Sequence, residues 1–263
     1  MANKTPQESE FKKAEKCKNI CGNCRYIILA ISLLQIGLDL KNFDSDFIMN
    51  AVAIILLLVT VFHMFIKNRY SQHFRKAEDE RRKGFFDKSF GTKMASIDSK
   101  GYYDTDDIDD GYKKFLANLH ENCLYSSKIS EEMLNKVQGK SVCIFLAFVL
   151  LTVANIFKVQ TTIALINILM VADVIGAYNS LKYYQSKTQE VFDDCIDIWK
   201  RLDNCCSENI DSKIIAEIIK AHTKYETTLA YESIMLDSKV YRALNGPLME
   251  EWVKLEERYN MTK

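Results

Sequence analysis

Cys17, Cys21 and Cys24 fall at i, i+4 and i+7, and the stretch CGNC within them is a CxxC. On a continuous helix the three thiols share one face. Such a face can hold zinc or carry out thiol–disulfide chemistry. Zinc needs a fourth ligand, and the spacing nominates none; Cys205, Cys206 and His73 are only guesses. The plainer reading is a thiol face packed against a neighbouring helix, and no metal site is assigned. The chain has eight cysteines, all but Cys143 in segments expected to face the cytoplasm. There free thiols are the default, not a disulfide framework.

Other chemical patterns fail when tested. An EF-hand loop counted from Asp106 would place Ile108 at its third position and Ala117 at its twelfth, where oxygen ligands are required. The four histidines are scattered, with no HExxH, and the chain has no GxSxG, Walker loop or GxGxxG. No enzyme activity and no cofactor are expected. Lys+Arg and Asp+Glu are equal at 35 each, so the net charge is zero. That balance argues against DNA or RNA as a partner.

The elements that would position any site are helices, because glycine (9) and proline (2) are both scarce. Two apolar blocks dominate. The first is Tyr26–Leu40, a polar turn KNFDSD, then Phe47–Ile66; the second is Ser141–Phe157, Lys158, then Val159–Tyr178. A membrane-crossing helix takes about 20 apolar residues, with about 17 as the lower limit. The second and fourth segments reach that length, while the shorter first and third need snorkelling by Arg25 and Lys140. Runs such as AVAIILLLV lack the polar stripe of a soluble core helix. The expected fold is an all-α membrane protein, with four transmembrane helices in two hairpins and a cytoplasmic helical bundle.

Flanking charge sets the orientation. Lys12, Lys13, Lys16, Lys18 and Arg25 precede the first helix, and Lys67, Arg69, Arg75, Lys76, Arg81, Arg82 and Lys83 follow the second. The intervening turns hold only Lys41 and Lys158 as basic residues. Both turns are therefore expected outside and both termini in the cytoplasm, with no cleavable signal peptide. The parts are an N-terminal helix (1–25), a first hairpin (26–66), a stalk and insert (67–140), a second hairpin (141–178) and C-terminal helices (179–263). The C-terminal part is expected to break near CCSENIDS, with Ser207 or Asn209 as a helix cap, and to end a helix at Asn245-Gly246-Pro247.

Polar residues inside the spans are Asn50, His63, Asn155, Asn167 and Asp173. Asp173 is a functional candidate because an acid in a membrane helix usually faces a bundle interior or water. Its nearness to the cytoplasmic end also permits a simple interfacial role. Asn167 lies deeper and can join helices by hydrogen bonds. Pore lining and inter-helix adhesion both remain open for these two.

Three stretches beyond hydropathy carry a family resemblance. FFDKSFG (Phe85–Gly91) follows the second span; YYD (Tyr102–Asp104) and ENCLYSSKISEEM (Glu121–Met133) precede the third. Near the C-terminus stand Asp237, Tyr241, Arg242, Pro247, Trp252, Arg258 and Met261 in order. In these the chain resembles the SMODS-associated four-transmembrane (S-4TM) pore-forming effectors of bacterial anti-phage defence. It departs from them in ENC and in Glu251 before Trp252. The resemblance implies an effector of the inner membrane, gated by a cyclic oligonucleotide made by an operon-encoded nucleotidyltransferase. It also implies a bilayer target. Four helices per subunit make a poor pore alone, so a homo-oligomer is expected, and the candidate cytoplasmic sensing region is that around Tyr241, Arg242 and Trp252. The competing readings are a non-catalytic membrane receptor or scaffold that relays a signal by protein contact, and a small transporter.

Overall fold

The computed structural model describes residues 7–40, 46–96, 105, 107–157, 161–203 and 210–261. Both short polar turns between the apolar segments (41–45 and 158–160), Tyr102–Asp104, Cys205, Cys206, Ser207 and Asn209 lie outside the described residues, as does the side chain of Asn155. Six α-helices are seen among the described residues, and no strand: α1 (Glu8–Leu40), α2 (Asp46–Phe90), α3 (Tyr112–Phe157), α4 (Thr161–Asp203), α5 (Ser212–Glu232) and α6 (Ser238–Arg258).

The chain forms two compact units. One gathers Lys12–His73 and Lys136–Asn179, and the other Met1–Phe11, Phe74–Asn135 and Ser180–Lys263. We call them the apolar unit and the charged unit. Both α2 and α4 are long and apolar enough to cross a membrane, and α3 makes a third if its two parts on either side of a bend count as one span. The most apolar stretch of α2 has a mean hydropathy of 2.4 and is only 22% buried.

The apolar unit has a small core of Ile28, Leu56, Phe148, Leu151, Ile163, Ile166 and Met170. Its wider distribution of side chains is inside-out. Ser32, Gln35, Thr60, His63 and Asn167 are all buried, whereas Leu34, Leu58, Leu150 and Leu165 are each at least 59% exposed. In water this would forfeit about 1.5–3 kcal/mol for each leucine left exposed. In lipid the exposed leucines are already in an apolar solvent, and polar side chains gain by facing each other. The arrangement is consistent with a membrane protein.

The charged unit packs α5 and α6 onto α3 and α4. On α5 the buried positions Ile214, Ile218, Ala221, Tyr225 and Leu229 recur every three or four residues, the spacing of one helical face. On α6, Val240, Leu244, Leu248 and Trp252 recur every four. That stripe accounts for one correction to the sequence reading: Pro247 does not end a helix but sits inside α6. A mid-helix proline costs about 3 kcal/mol through its lost hydrogen bond and ring clash. Burying Leu248 and Trp252, at 3% and 1% exposure, stabilises the continuous helix by a comparable amount or more. The break lies earlier. Ser233 adopts a left-handed conformation and its N–H donates to Leu229 O at 3.0 Å. Asp237 then caps α6, accepting from the N–H groups of Lys239 and Val240 at 2.7 and 3.1 Å. The cap of α5 is likewise Asp211, not Ser207 or Asn209.

FFDKSFG acts as the terminator of α2. The Gly91 N–H donates to Asp87 O at 2.9 Å, the left-handed closure that favours glycine. The Asp87 carboxylate accepts from Thr92 Oγ1 and from the N–H groups of Met94 and Ala95 at 2.6–2.7 Å. Burial works to raise its pKa, but these three bonds outweigh it and hold the carboxyl below its usual range. Ser89 then ties the turn to α3: its carbonyl accepts from Gly111 N and its hydroxyl from Asn118 Nδ2. Gly91 has φ +65°, and a Cβ there would stand 2.7 Å from Asp110 Oδ2. The Asp110 side chain can swing away, so the backbone dominates. Gly91→Ala is expected to destabilise by about 1–2 kcal/mol, read as a lowered urea midpoint of the purified protein; an unchanged midpoint would refute this account of the turn.

Candidate functional site

The apolar unit concentrates its polar groups on three helices. Along α1 the buried positions Cys21, Cys24, Ile28, Ser32 and Gln35 follow helical spacing, as do Leu56, Thr60 and His63 on α2 and Asn167, Met170 and Val174 on α4. The polar members of these stripes meet. Asp173, 8% exposed, accepts from Arg25 Nε at 2.9 Å and pairs with Arg25 NH2 at 2.7 Å. Lys67 Nζ donates to its other oxygen, and His63 Nε2 lies 3.9 Å away, beyond hydrogen-bond reach. One carboxylate thus joins α1, α2 and α4. Deeper in the unit, Ser32 Oγ donates to Asn167 Oδ1 at 3.1 Å. Asn167 is fully buried, and its Nδ2 has no hydrogen-bond partner among the described residues. Cys21 Sγ contacts His63 O at 3.9 Å. No group of three or more His, Cys, Asp or Glu side chains is placed to hold a metal ion among the described residues.

The charged unit carries a second ionic cluster that sequence reasoning missed. Arg81, 8% exposed, donates through Nε to Glu78 at 2.9 Å and through NH2 to Glu226 at 2.6 Å. Arg82 pairs with the second Glu226 oxygen at 2.9 Å. The Arg81 guanidinium also sits 5.8 Å from the centre of the Tyr225 ring, and Tyr225 Oη shares a 2.9 Å hydrogen bond with Ser126 Oγ. Burial pushes the Glu78 carboxyl up, with Arg81 opposing. His222 stacks on Phe85 at 5.2 Å; burial lowers its pKa and Glu226 opposes. The signal was present in the sequence: Phe74, Ala77, Glu78, Arg81 and Phe85 share one helical face within a segment whose charge suggested solvent.

No family model, curated protein or solved structure matches this chain.

The three residues of the anticipated sensing region divide. Tyr241 is 44% exposed, with its ring 5.9 Å from that of Tyr125. Arg242 donates to its own helix at Ser238 O, 3.1 Å away. Trp252 is 1% exposed and meets His120 edge-on at 5.5 Å. Tyr241 and Trp252 lie about 16 Å apart along α6 at 1.5 Å per residue.

Proposed function

We propose that this chain is a pore-forming effector of the bacterial inner membrane, gated through its cytoplasmic helices by a cyclic oligonucleotide in an anti-phage defence system. The observation that carries the reading is the inside-out apolar unit, with Asn167 buried and Leu150 70% exposed. All four of its helices run on into the charged unit, α1 only through Glu8–Phe11, so a ligand held there has covalent levers on the spans. On this reading α1 and α3 complete four spans, both termini lie in the cytoplasm, and the charged unit is the cytoplasmic bundle. The interior of one subunit is filled by Ile28, Leu56, Phe148 and Met170. A pore therefore forms between copies in a homo-oligomer, not within one copy. A ligand opens it only by binding the open arrangement more tightly than the closed one.

Coexpression with the nucleotidyltransferase of the same operon is expected to collapse the membrane potential, read with a voltage-sensitive dye. A catalytically dead nucleotidyltransferase should leave the potential intact. An unchanged potential with active enzyme and effector both present would overturn the pore reading and favour a receptor that works by protein contact.

A further inference from the structure

Asp173 fixes a common level on three helices of the apolar unit, because Arg25 on α1 and Lys67 on α2 both pair with it from α4. Exposed side chains change character at that level. On one side, every exposed residue from Ile27 to Leu34 on α1, from Ile54 to Phe65 on α2 and from Leu165 to Ala172 on α4 is apolar. On the other side, α1 exposes Lys12, Lys13, Lys16 and Lys18, and α2 exposes Arg69. Against these five cations the same ends of the three helices carry one acid besides Asp173, the half-buried Glu15. Two large apolar side chains stand exposed beyond the level on these helices, Ile20 on α1 and Ile175 on α4, so the change is sharpest on α2. There the Arg69 guanidinium sits 5.4 Å from the centre of the exposed Phe65 ring. Its stem lies along the edge of the apolar surface, as a long cationic side chain does where apolar and polar surroundings meet.

The five cations stand at different heights. Counted from Lys67 on α2 and Arg25 on α1 at about 1.5 Å per residue, Arg69 is about 3 Å beyond the level, Lys18 about 10 Å and Lys16 about 14 Å. By the same rise, Lys13 and Lys12 are about 18 and 20 Å beyond it. The headgroup zone of a bilayer is about 5–8 Å deep on each side of the hydrocarbon. At physiological salt a charge is felt across about 8 Å of water. With the hydrocarbon edge at the Asp173 level, Arg69 falls inside the headgroup zone. Lys18 and Lys16 fall within one screening length of its outer edge, and Lys13 and Lys12 lie farther out. The occupant follows from the neighbouring surface: cations that border a bare apolar band face the layer next to hydrocarbon, which is the headgroup layer.

We propose that Arg69, Lys18 and Lys16 form a surface for the headgroups of anionic phospholipids. The surface rests on the membrane part of the function proposed above, and on neither the pore nor its ligand. A zwitterionic headgroup carries no net charge to meet these cations. An anionic one does, and each lysine or arginine close to such a surface favours it by about fivefold.

The test has two steps. The full chain is reconstituted in phosphatidylcholine vesicles and washed with alkaline carbonate, which strips proteins that only adhere. It is then moved into mixed micelles holding equal amounts of phosphatidylglycerol and phosphatidylcholine, and the lipids retained on it are counted by native mass spectrometry. The parent should keep phosphatidylglycerol over phosphatidylcholine by about fivefold or more. The combined variant Lys16→Gln, Lys18→Gln, Arg69→Gln should bring that ratio close to one. The combined variant Lys12→Gln, Lys13→Gln removes nearly as much charge but should leave the ratio within about twofold of the parent, because both lysines lie beyond the screening length. All five side chains are exposed, so both variants keep the fold, with thermal midpoints close to the parent's. A parent without preference, a triple variant that retains it, or an equal loss in the double variant overturns the surface. A chain that resists the wash but shows no preference overturns the surface alone and leaves the membrane reading standing. A chain released by the wash overturns the membrane reading and the surface with it.

Discussion

Asp173→Leu is expected to lower the stability of the apolar unit by about 2–3 kcal/mol. The carboxylate is 8% exposed and neutralises Arg25 and Lys67 from two other helices. Removing one partner from a fully buried ion pair costs about 3–5 kcal/mol, because the remaining charge is left uncompensated. The expectation is smaller here because Arg25 is 31% and Lys67 57% exposed, so both keep part of their hydration. Replacing the whole cluster is a different matter. An ion cluster exchanged for packed apolar residues is close to neutral. The triple variant Asp173→Leu, Arg25→Met, Lys67→Met should recover most of the loss. The check is the thermal midpoint of the protein in nanodiscs. A single variant as stable as the parent, or a triple variant no better than the single, would refute the role of Asp173 as the tie among α1, α2 and α4.

His120→Phe is expected to act in the opposite direction. Both imidazole nitrogens lie buried without partners among the described residues, and phenylalanine keeps the ring while removing the unmet polar groups. A gain of about 1–3 kcal/mol near neutral pH follows. The larger consequence is a change in pH dependence. Burial presses the His120 pKa down from 6.5 to about 3, so the folded chain stays unprotonated there while the unfolded chain takes up a proton. The histidine's contribution to stability is therefore full above about pH 6.5 and is lost progressively as the pH falls towards 3. At about 1.36 kcal/mol per pH unit, the parent should lose about 2 kcal/mol between pH 7.5 and 5 through this one group. Glu78, raised by burial, has the opposite sign, and His222, lowered by burial, has the same sign as His120. Only the difference between parent and variant isolates His120. Urea unfolding at the two pH values should show the advantage of His120→Phe growing by about that amount; a constant advantage would mean that His120 is protonated in the folded chain.

How far the sequence could be read differs by element. The apolar stretches of α2 and α4 were legible because length and hydropathy alone define them. The α6 start was legible too: Asp237-Ser238-Lys239 is an N-cap signal, overlooked because Asn245-Gly246-Pro247 is a louder one. Local chemistry alone cannot show that Val240, Leu244, Leu248 and Trp252 hold a helix together across a proline. Asp173 was marked as exceptional by its place in an apolar run, yet its partners lie 148 and 106 residues away, and no spacing rule reaches that far. The Glu78, Arg81 and Glu226 cluster was hidden for another reason. Charged residues on a helix normally face water, and only the tertiary packing of α5 buries these. His120 is the extreme case, because its lack of partners is a property of the surrounding fold.

We propose that ligand binding to the charged unit opens the membrane-spanning helices. The most direct measurement is potassium release from liposomes holding the purified full chain, with cyclic oligonucleotides added to the side carrying the charged unit. Rapid, ligand-dependent release that grows steeply with the amount of protein per vesicle is expected, as an oligomeric pore requires. Vesicles that stay sealed with every cyclic oligonucleotide, while the protein is folded and inserted, would contradict it.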